Sequence, residues 1–306
     1  MTSVDCIAPA VLCAFSSIFY AMKSIDLINK PSDGKDMDKK IAAQKKNTLI
    51  SHLKRLPSLM IAFSGGVDST FLLAVAAEAL GERVLAVTAT SNVHPITDIR
   101  NAKEFTSLKG IRHIMYESDE KNIPEFRANL PDRCYHCKKA ICNKLKEIAK
   151  AHGITHIAHA INTDDLSDYR PGIKAAQEMG LIAPLVDAEL TKEEIRFLSK
   201  EMCLKTWDMP SMACLASRIP YGESITDEKI SMVQRAEDIL AEAGLKQYRV
   251  RYHGTVARIE AGTDDFSMFS NQQFREKIIK DFKSIGFLHI ALDLEGYRSG
   301  SMNRGL

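Results

Sequence analysis

Long apolar runs, internal repeats and clustered charge are all missing from these 306 residues. The apolar stretch from Ile7 to Tyr20 is too short for a membrane span, which takes roughly 20 residues. No basic residue precedes it and no clear small-residue cleavage pattern follows, so it does not read as a signal peptide. Formal net charge is +2, and the basic residues form no runs, so charge gives no ground for a nucleic-acid partner. Without a repeat or a low-complexity tract, an ordinary globular chain is expected. The seven cysteines (Cys6, Cys13, Cys134, Cys137, Cys142, Cys203 and Cys214) are odd in number and unevenly spaced. That speaks against a disulfide framework and for reduced thiols in a cytoplasmic protein with no membrane association.

What is present is 45% hydrophobic and 26% charged, enough for one large domain and a smaller one. Residues 1–40 are set apart as an extension of uncertain role, with the working protein beginning near Met37. From Leu56 onward short β-rich runs alternate with helical ones. Strands are expected at Ser58–Phe63, Val84–Thr88, His113–Tyr116, Thr155–Ile161 and Leu181–Val186. Helices are expected at Thr70–Leu80, Pro95–Leu108 (with Asp98 and Glu104 on the wet side), Tyr135–Ala151, Ile173–Met179 and Lys192–Met202. Such alternation predicts parallel βαβ units and an α/β, doubly wound sheet over 41–208. Near Trp207 the pattern changes. A long loop, a helix starting at Thr226, a hairpin about His253 and Gly254, a helix Asn271–Ser284 and a strand Phe287–Leu292 predict a smaller α+β domain over 209–306.

Chemistry concentrates in loops that should follow strands. Ser64, Gly65, Gly66, Val67, Asp68 and Ser69 sit between the first strand and its helix. Two glycines let backbone N–H groups approach an anion at a helix N-terminus, the serines add hydroxyls, and Asp68 can hold magnesium. The Gly-Lys-Ser/Thr ending of a Walker A loop is absent. The run resembles the PP-loop of ATP pyrophosphatases, a superfamily that includes GMP synthetase, NAD synthetase and tRNA-thiolating enzymes. The resemblance implies adenylation of a substrate by ATP, loss of pyrophosphate and displacement of AMP, with adenine near Thr88 and Thr90. A second loop, Asn162–Gly172, offers Asp164, Asp165 and Asp168 for magnesium and Arg170 for a phosphate or carboxylate.

Cys134 and Cys137 lie three apart at a helix start, on one face, where the helix N-terminus favours thiolate. A lone CxxC is compatible with a redox pair, half a zinc site with His136, or cluster ligation. Cys214 lies in the loop Pro210–Arg218, and Cys142 and Cys203 read as core thiols within helices. The combination of SGGVDS, RCYHCK, NTDDLSDYRPG, ACLASRIPYGE and the terminal DLEGYRSGS resembles the LarE family of ATP-dependent sulfur transferases, from about residue 45 to 303. That resemblance implies an enzyme making a thiocarboxylate on pyridinium-3,5-biscarboxylic acid mononucleotide, a precursor of the nickel-pincer nucleotide. Some members sacrifice one cysteine, here matching Cys214; others bind a four-iron cluster ([4Fe-4S]) through three, here Cys134, Cys137 and Cys214. Three thiolates leave one iron open, where hydrosulfide can sit. Ser217, Arg218, Glu237, Arg249 and Arg251 match residues around the substrate, and a molecule with two carboxylates and a phosphate needs such cations. Tyr297, Arg298 and Ser299 match the family's terminal motif. The expected cofactors are ATP, Mg2+ and the cluster. Sulfide or a sulfur-donor protein, other cofactor-assembly proteins and a homo-oligomer are the expected partners. The competing readings are a tRNA-thiolating enzyme, an amidating ligase and a non-catalytic sensor of ATP or a cluster.

Overall fold

The computed structural model describes residues 38–167, 170–210 and 212–298. Cys6, Cys13, Asp168 and Ser299 lie outside them. Lys39–Leu306 forms one compact unit carrying two sheets.

The first sheet is built from α1 (Lys39–Lys54), β1 (Leu59–Ala62), α2 (Val67–Leu80), β2 (Val84–Thr90), α3 (Ile96–Lys109) and β3 (Arg112–Glu117). It continues through α4 (Pro124–Arg127), α5 (Arg133–Ala151), β4 (Ile157–Ala158), α6 (Pro171–Glu178), α7 (Pro184–Asp187) and α8 (Lys192–Glu201). The four strands run parallel in the order β3-β2-β1-β4. β1 and β2 are buried on both faces, which is why both read as continuous apolar runs. Helix α2 is apolar almost all round because it too is enclosed; Phe71, Leu72, Leu73 and Val75 are fully buried against α1 and α8. Strand order reverses at β1, with β2 on one side and β4 on the other. A crevice therefore opens at the carboxyl end of β1, where ligands bind in doubly wound folds.

Two strand expectations change. Thr155–Ile161 shortens to Ile157–Ala158, and Leu181–Val186 is not a strand. Ile182 makes a single parallel bridge to Ala158, and then Pro184, which has no N–H for a ladder, starts α7 instead. Cys142 is core, as expected, but Cys203 is exposed beyond the end of α8, at φ 53°.

The second sheet follows α9 (Asp227–Glu242), whose N-cap Thr226 accepts the Lys229 N–H at 3.3 Å. Strands β5 (Tyr248–His253) and β6 (Val256–Ala261) pair antiparallel across a turn that needs Gly254 at φ +61°. After α10 (Gln272–Ile285), β7 (His289–Leu292) pairs parallel with β6. Val250, Ile259, Phe282 and Phe287 form its separate core. The α/β class with a smaller α+β part agrees with the sequence reading. No helix among the described residues is long and apolar enough to cross a membrane.

Candidate active site

The crevice at the end of β1 contains a cavity of about 250 Å3. Its floor is the loop Ser64–Ser69. Gly65 stands at φ +80°, and a Cβ there would strike the carbonyl of Asp98 and come within 2.9 Å of the Ala102 nitrogen. Glycine is thus required for α3 to pack on the loop. No side chain caps α2 at Gly66, so the first-turn N–H groups are left for a ligand. The Ser64 and Ser69 hydroxyls lie 3.0 Å apart beside them. Asp68 accepts from the Lys192 ammonium at 2.5 Å, and its other oxygen is buried with no hydrogen-bond partner.

Lys192 owes its place to the start of α8. Thr191 and Glu194 form a reciprocal capping box, and Glu194 also binds Lys45 of α1 at 2.8 Å. Lys138, one residue after Cys137, and His159, at the end of β4, complete the wall. Burial, helped by Lys138, lowers His159 to about 3, so its ring is neutral at physiological pH. Sequence reasoning missed Lys138, His159 and Lys192. Lys138 directly follows the CxxC motif, and the Thr191/Glu194 pair marks the start of the helix that carries Lys192; nothing marks His159.

Asp98 reverses its expected position. It sits in the first turn of α3, 8% exposed, and is among the residues that line the cavity, while its Oδ1 is buried and unpartnered. Burial raises its carboxyl to about 7, against the opposing charges of Arg249 and Arg218. A helix N-terminus favours a carboxylate by only ~0.3–1 kcal/mol. The rise from 3.8 corresponds to about 4 kcal/mol, so burial wins.

Other predicted residues are engaged differently than expected. The Asp164 carboxylate accepts the Lys192 N–H at 2.8 Å, and Asp165 accepts the Asn162 N–H at 3.1 Å while pairing with Arg170 at 2.6 Å. These two carboxylates tie the loop after β4 to α8 and to itself, leaving Asp68 as the acid on the cavity floor. Thr88 donates to the Phe63 carbonyl at 2.7 Å and contacts His113, and Thr90 donates to the Tyr116 carbonyl at 3.0 Å. Their hydroxyls therefore serve the sheet.

Arg249 and Arg251 of the second sheet, and Arg218 of the cysteine loop, are buried rather than solvated. Arg218 is fully buried, forked onto Glu237 at 2.8 and 2.9 Å, with further bonds to the Ala213 carbonyl and the Ser217 hydroxyl. Glu237 also accepts the Val250 N–H at 3.0 Å. This pair frames the cysteine loop instead of presenting two open ligands. Arg251 pairs with buried Glu260 at 2.7 Å and donates to the Ser217 carbonyl. Arg249 lies against Met212, a cavity residue, and over the Tyr297 ring at 4.9 Å. It brings the second sheet's charge close to the cavity, with the Tyr297 ring packed against it.

Cys134 opens α5 in an exposed position, while Cys137 and Cys214 pack on one apolar cluster with Val93, Phe126 and Leu215. The helix start does not lower Cys137. Burial pushes its thiol far up, and Cys214 and Cys134 add to the rise. Burial also raises Cys214, to about 11, with Cys134 adding and Arg133 and Arg218 opposing. The three sulfurs are therefore neighbours and largely protonated where burial governs them. Among the described residues no three His, Cys, Asp or Glu side chains form a ready metal site.

No family model matches the chain. An uncharacterized protein of Synechocystis sp. is 40% identical over 251 residues, 82% of this chain and 94% of its own. The pyridinium-3,5-bisthiocarboxylic acid mononucleotide synthase of Lactiplantibacillus plantarum is 35% identical over 265 residues, 85% of this chain and 94% of that enzyme. A glutamine-hydrolysing GMP synthase of Aeropyrum pernix is 27% identical over 207 residues, 59% of this chain but 38% of its own. The partial match fits a shared PP-loop nucleotide fold; the near full-length ones go further. The chain belongs to the LarE family, that of pyridinium-3,5-bisthiocarboxylic acid mononucleotide synthase.

Proposed function

We propose that this chain is an ATP-dependent sulfurtransferase that replaces carboxylate oxygen by sulfur on pyridinium-3,5-biscarboxylic acid mononucleotide, in the formation of the nickel-pincer nucleotide. The observation that carries this is the near full-length likeness to the named synthase, joined to a cavity floored by the loop Ser64–Ser69. ATP lies with its β- and γ-phosphates on the N–H groups of Gly66–Ser69. A carboxylate oxygen of the acceptor attacks the α-phosphorus, the bond to pyrophosphate breaks, and Lys138 and Lys192 stabilise the charge that leaves. A sulfur nucleophile then adds to the acyl carbon and AMP departs with the former carboxylate oxygen.

The buried free oxygen of Asp68 fits a magnesium ion, whose part is to neutralise pyrophosphate. Arg249 is the group placed to hold the acceptor, while Arg218, Glu237, Arg251 and Ser217 keep the cysteine loop in shape around it. These arginines turn inward and form no exposed basic face, which favours a small-molecule acceptor over tRNA. Soft thiols are the donors that a [4Fe-4S] cluster takes; Cys134, Cys137 and Cys214 would hold it once drawn together, and it would supply sulfide for transfer. Sulfide or a donor protein as source, other assembly proteins as neighbours and a homo-oligomeric state belong to the same proposal.

The test is anaerobic. Purified protein with ATP and magnesium should release pyrophosphate only when the acceptor is present, and should carry about four irons whose visible absorption is lost on Cys137→Ala. Formation of ADP in place of AMP would sink the adenylation step. Colourless protein that loses the elements of hydrogen sulfide from Cys214 would favour sacrifice of that cysteine.

A further inference from the structure

The cavity is lined by a carboxyl group that the proposed chemistry does not use. Asp98 is the third residue of α3, where an acidic side chain usually turns back to the N-cap N–H and closes a capping box. Here the N-cap is Pro95, which has no N–H, so that bond cannot form. The carboxyl is instead buried, its Oδ1 has no hydrogen-bond partner, and the residue lines the cavity. Arg249 and Arg218 face it from β5 and the cysteine loop, and Asp68, Lys138, His159 and Lys192 line the same cavity.

Apart from the magnesium proposed on Asp68, the reacting groups this cavity would hold, phosphates and a carboxylate, are anionic. An ionised, unpartnered Asp98 would oppose such a ligand, whereas a protonated one has an O–H to give. We propose that Asp98 contacts the bound ligand, donating a hydrogen bond from its protonated carboxyl to an anionic oxygen. That oxygen belongs either to a phosphate of ATP or to a carboxylate of the acceptor. Asp98 is then a specificity residue: it accepts ligands as a donor and, once ionised, repels them. Its position near a pKa of about 7 supports this without being its basis, which is the burial, the missing cap partner and the free oxygen. The inference rests on the adenylating role proposed above and adds a residue to that site.

Calorimetry on the full chain separates the outcomes. The probes are α,β-methylene-ATP, which cannot be cleaved, and pyridine-3,5-dicarboxylate, which carries the acceptor's two carboxylates alone. Hydrogen bonds to charged groups change affinity by roughly 10- to 100-fold. Asp98→Ala should lose about that factor at pH 6 for the probe it contacts, and wild type should lose a similar factor between pH 6 and pH 8.5. Asp98→Asn, which keeps a donor and cannot ionise, should bind at pH 8.5 as wild type does at pH 6. Loss confined to the nucleotide places the contact on phosphate; loss confined to the dicarboxylate places it on the acceptor. Wild-type affinity in both variants at both pH values overturns the inference, as does an Asn variant as weak as the Ala variant at pH 6. Thermal melts of each variant exclude loss of the fold as the cause. Wild-type protein that binds no ATP analogue would instead overturn the adenylating role itself.

Discussion

Arg218 and Arg249 are 31 positions apart in the chain and look alike as exposed loop and strand cations, yet their surroundings divide their tasks. Arg218 is sealed with Glu237, so removing it strands a buried carboxylate. Arg218→Ala should cost about 3–5 kcal/mol of stability, read from urea unfolding. Arg249 lies on a cavity residue, and Arg249→Ala should weaken acceptor binding while leaving ATP binding nearly intact; equal loss of both would reject its assignment. Asp98 makes a separate, pH-dependent prediction. Its folded-state affinity for a proton, near 7, exceeds its ordinary value of 3.8. The folded chain therefore holds a proton that the unfolded chain releases, and stability falls as pH rises from about 4 to about 7. Asp98→Asn should remove that slope and gain stability over wild type at pH 8 relative to pH 5. An unchanged slope would mean that the carboxylate is ionised in the fold. None of these divisions was legible in the sequence, because periodicity places a residue on a face but does not say what covers that face.

At the scale of elements the sequence was most legible where local rules act alone. The PP-loop, the Thr226 cap and the turn at Gly254 all follow from short-range chemistry, and all stand where the residues predicted them. The Leu181–Val186 segment misled because its apolar run is buried in either conformation; Pro184 decided the outcome. Asp98 was assigned to the wet side because α3 was read as a solvated helix, whereas the loop below it, through Gly65, draws its first turn onto the cavity. Two measurements follow. Phe71→Ala, in the fully buried stripe of α2, should lower stability by about 3–5 kcal/mol in denaturant unfolding. Thr191→Ala, which removes the cap of α8, should cost only ~1 kcal/mol globally. Its larger effect should be on ATP affinity, since the cap aims Lys192 at Asp68; a variant with unchanged affinity would show that Lys192 is placed by other contacts.

For the molecule as a whole, the two sheets meet where the chemistry requires two functions. The first sheet supplies an anion cradle at its topological switch point, and the segment between the sheets brings Met212 and Cys214 towards α5 and the cavity. The second sheet adds buried arginines behind them. The cavity lining and the cysteine cluster thus come from segments far apart in the chain, which is why the motifs could be read singly while their convergence could not. The most direct measurement is the mass of the product after anaerobic incubation with ATP, magnesium, sulfide and pyridinium-3,5-biscarboxylic acid mononucleotide. Replacement of carboxylate oxygen by sulfur, matched by release of AMP and pyrophosphate, is the expected result. An acceptor recovered unchanged in mass by iron-loaded protein that nevertheless cleaves ATP would contradict it.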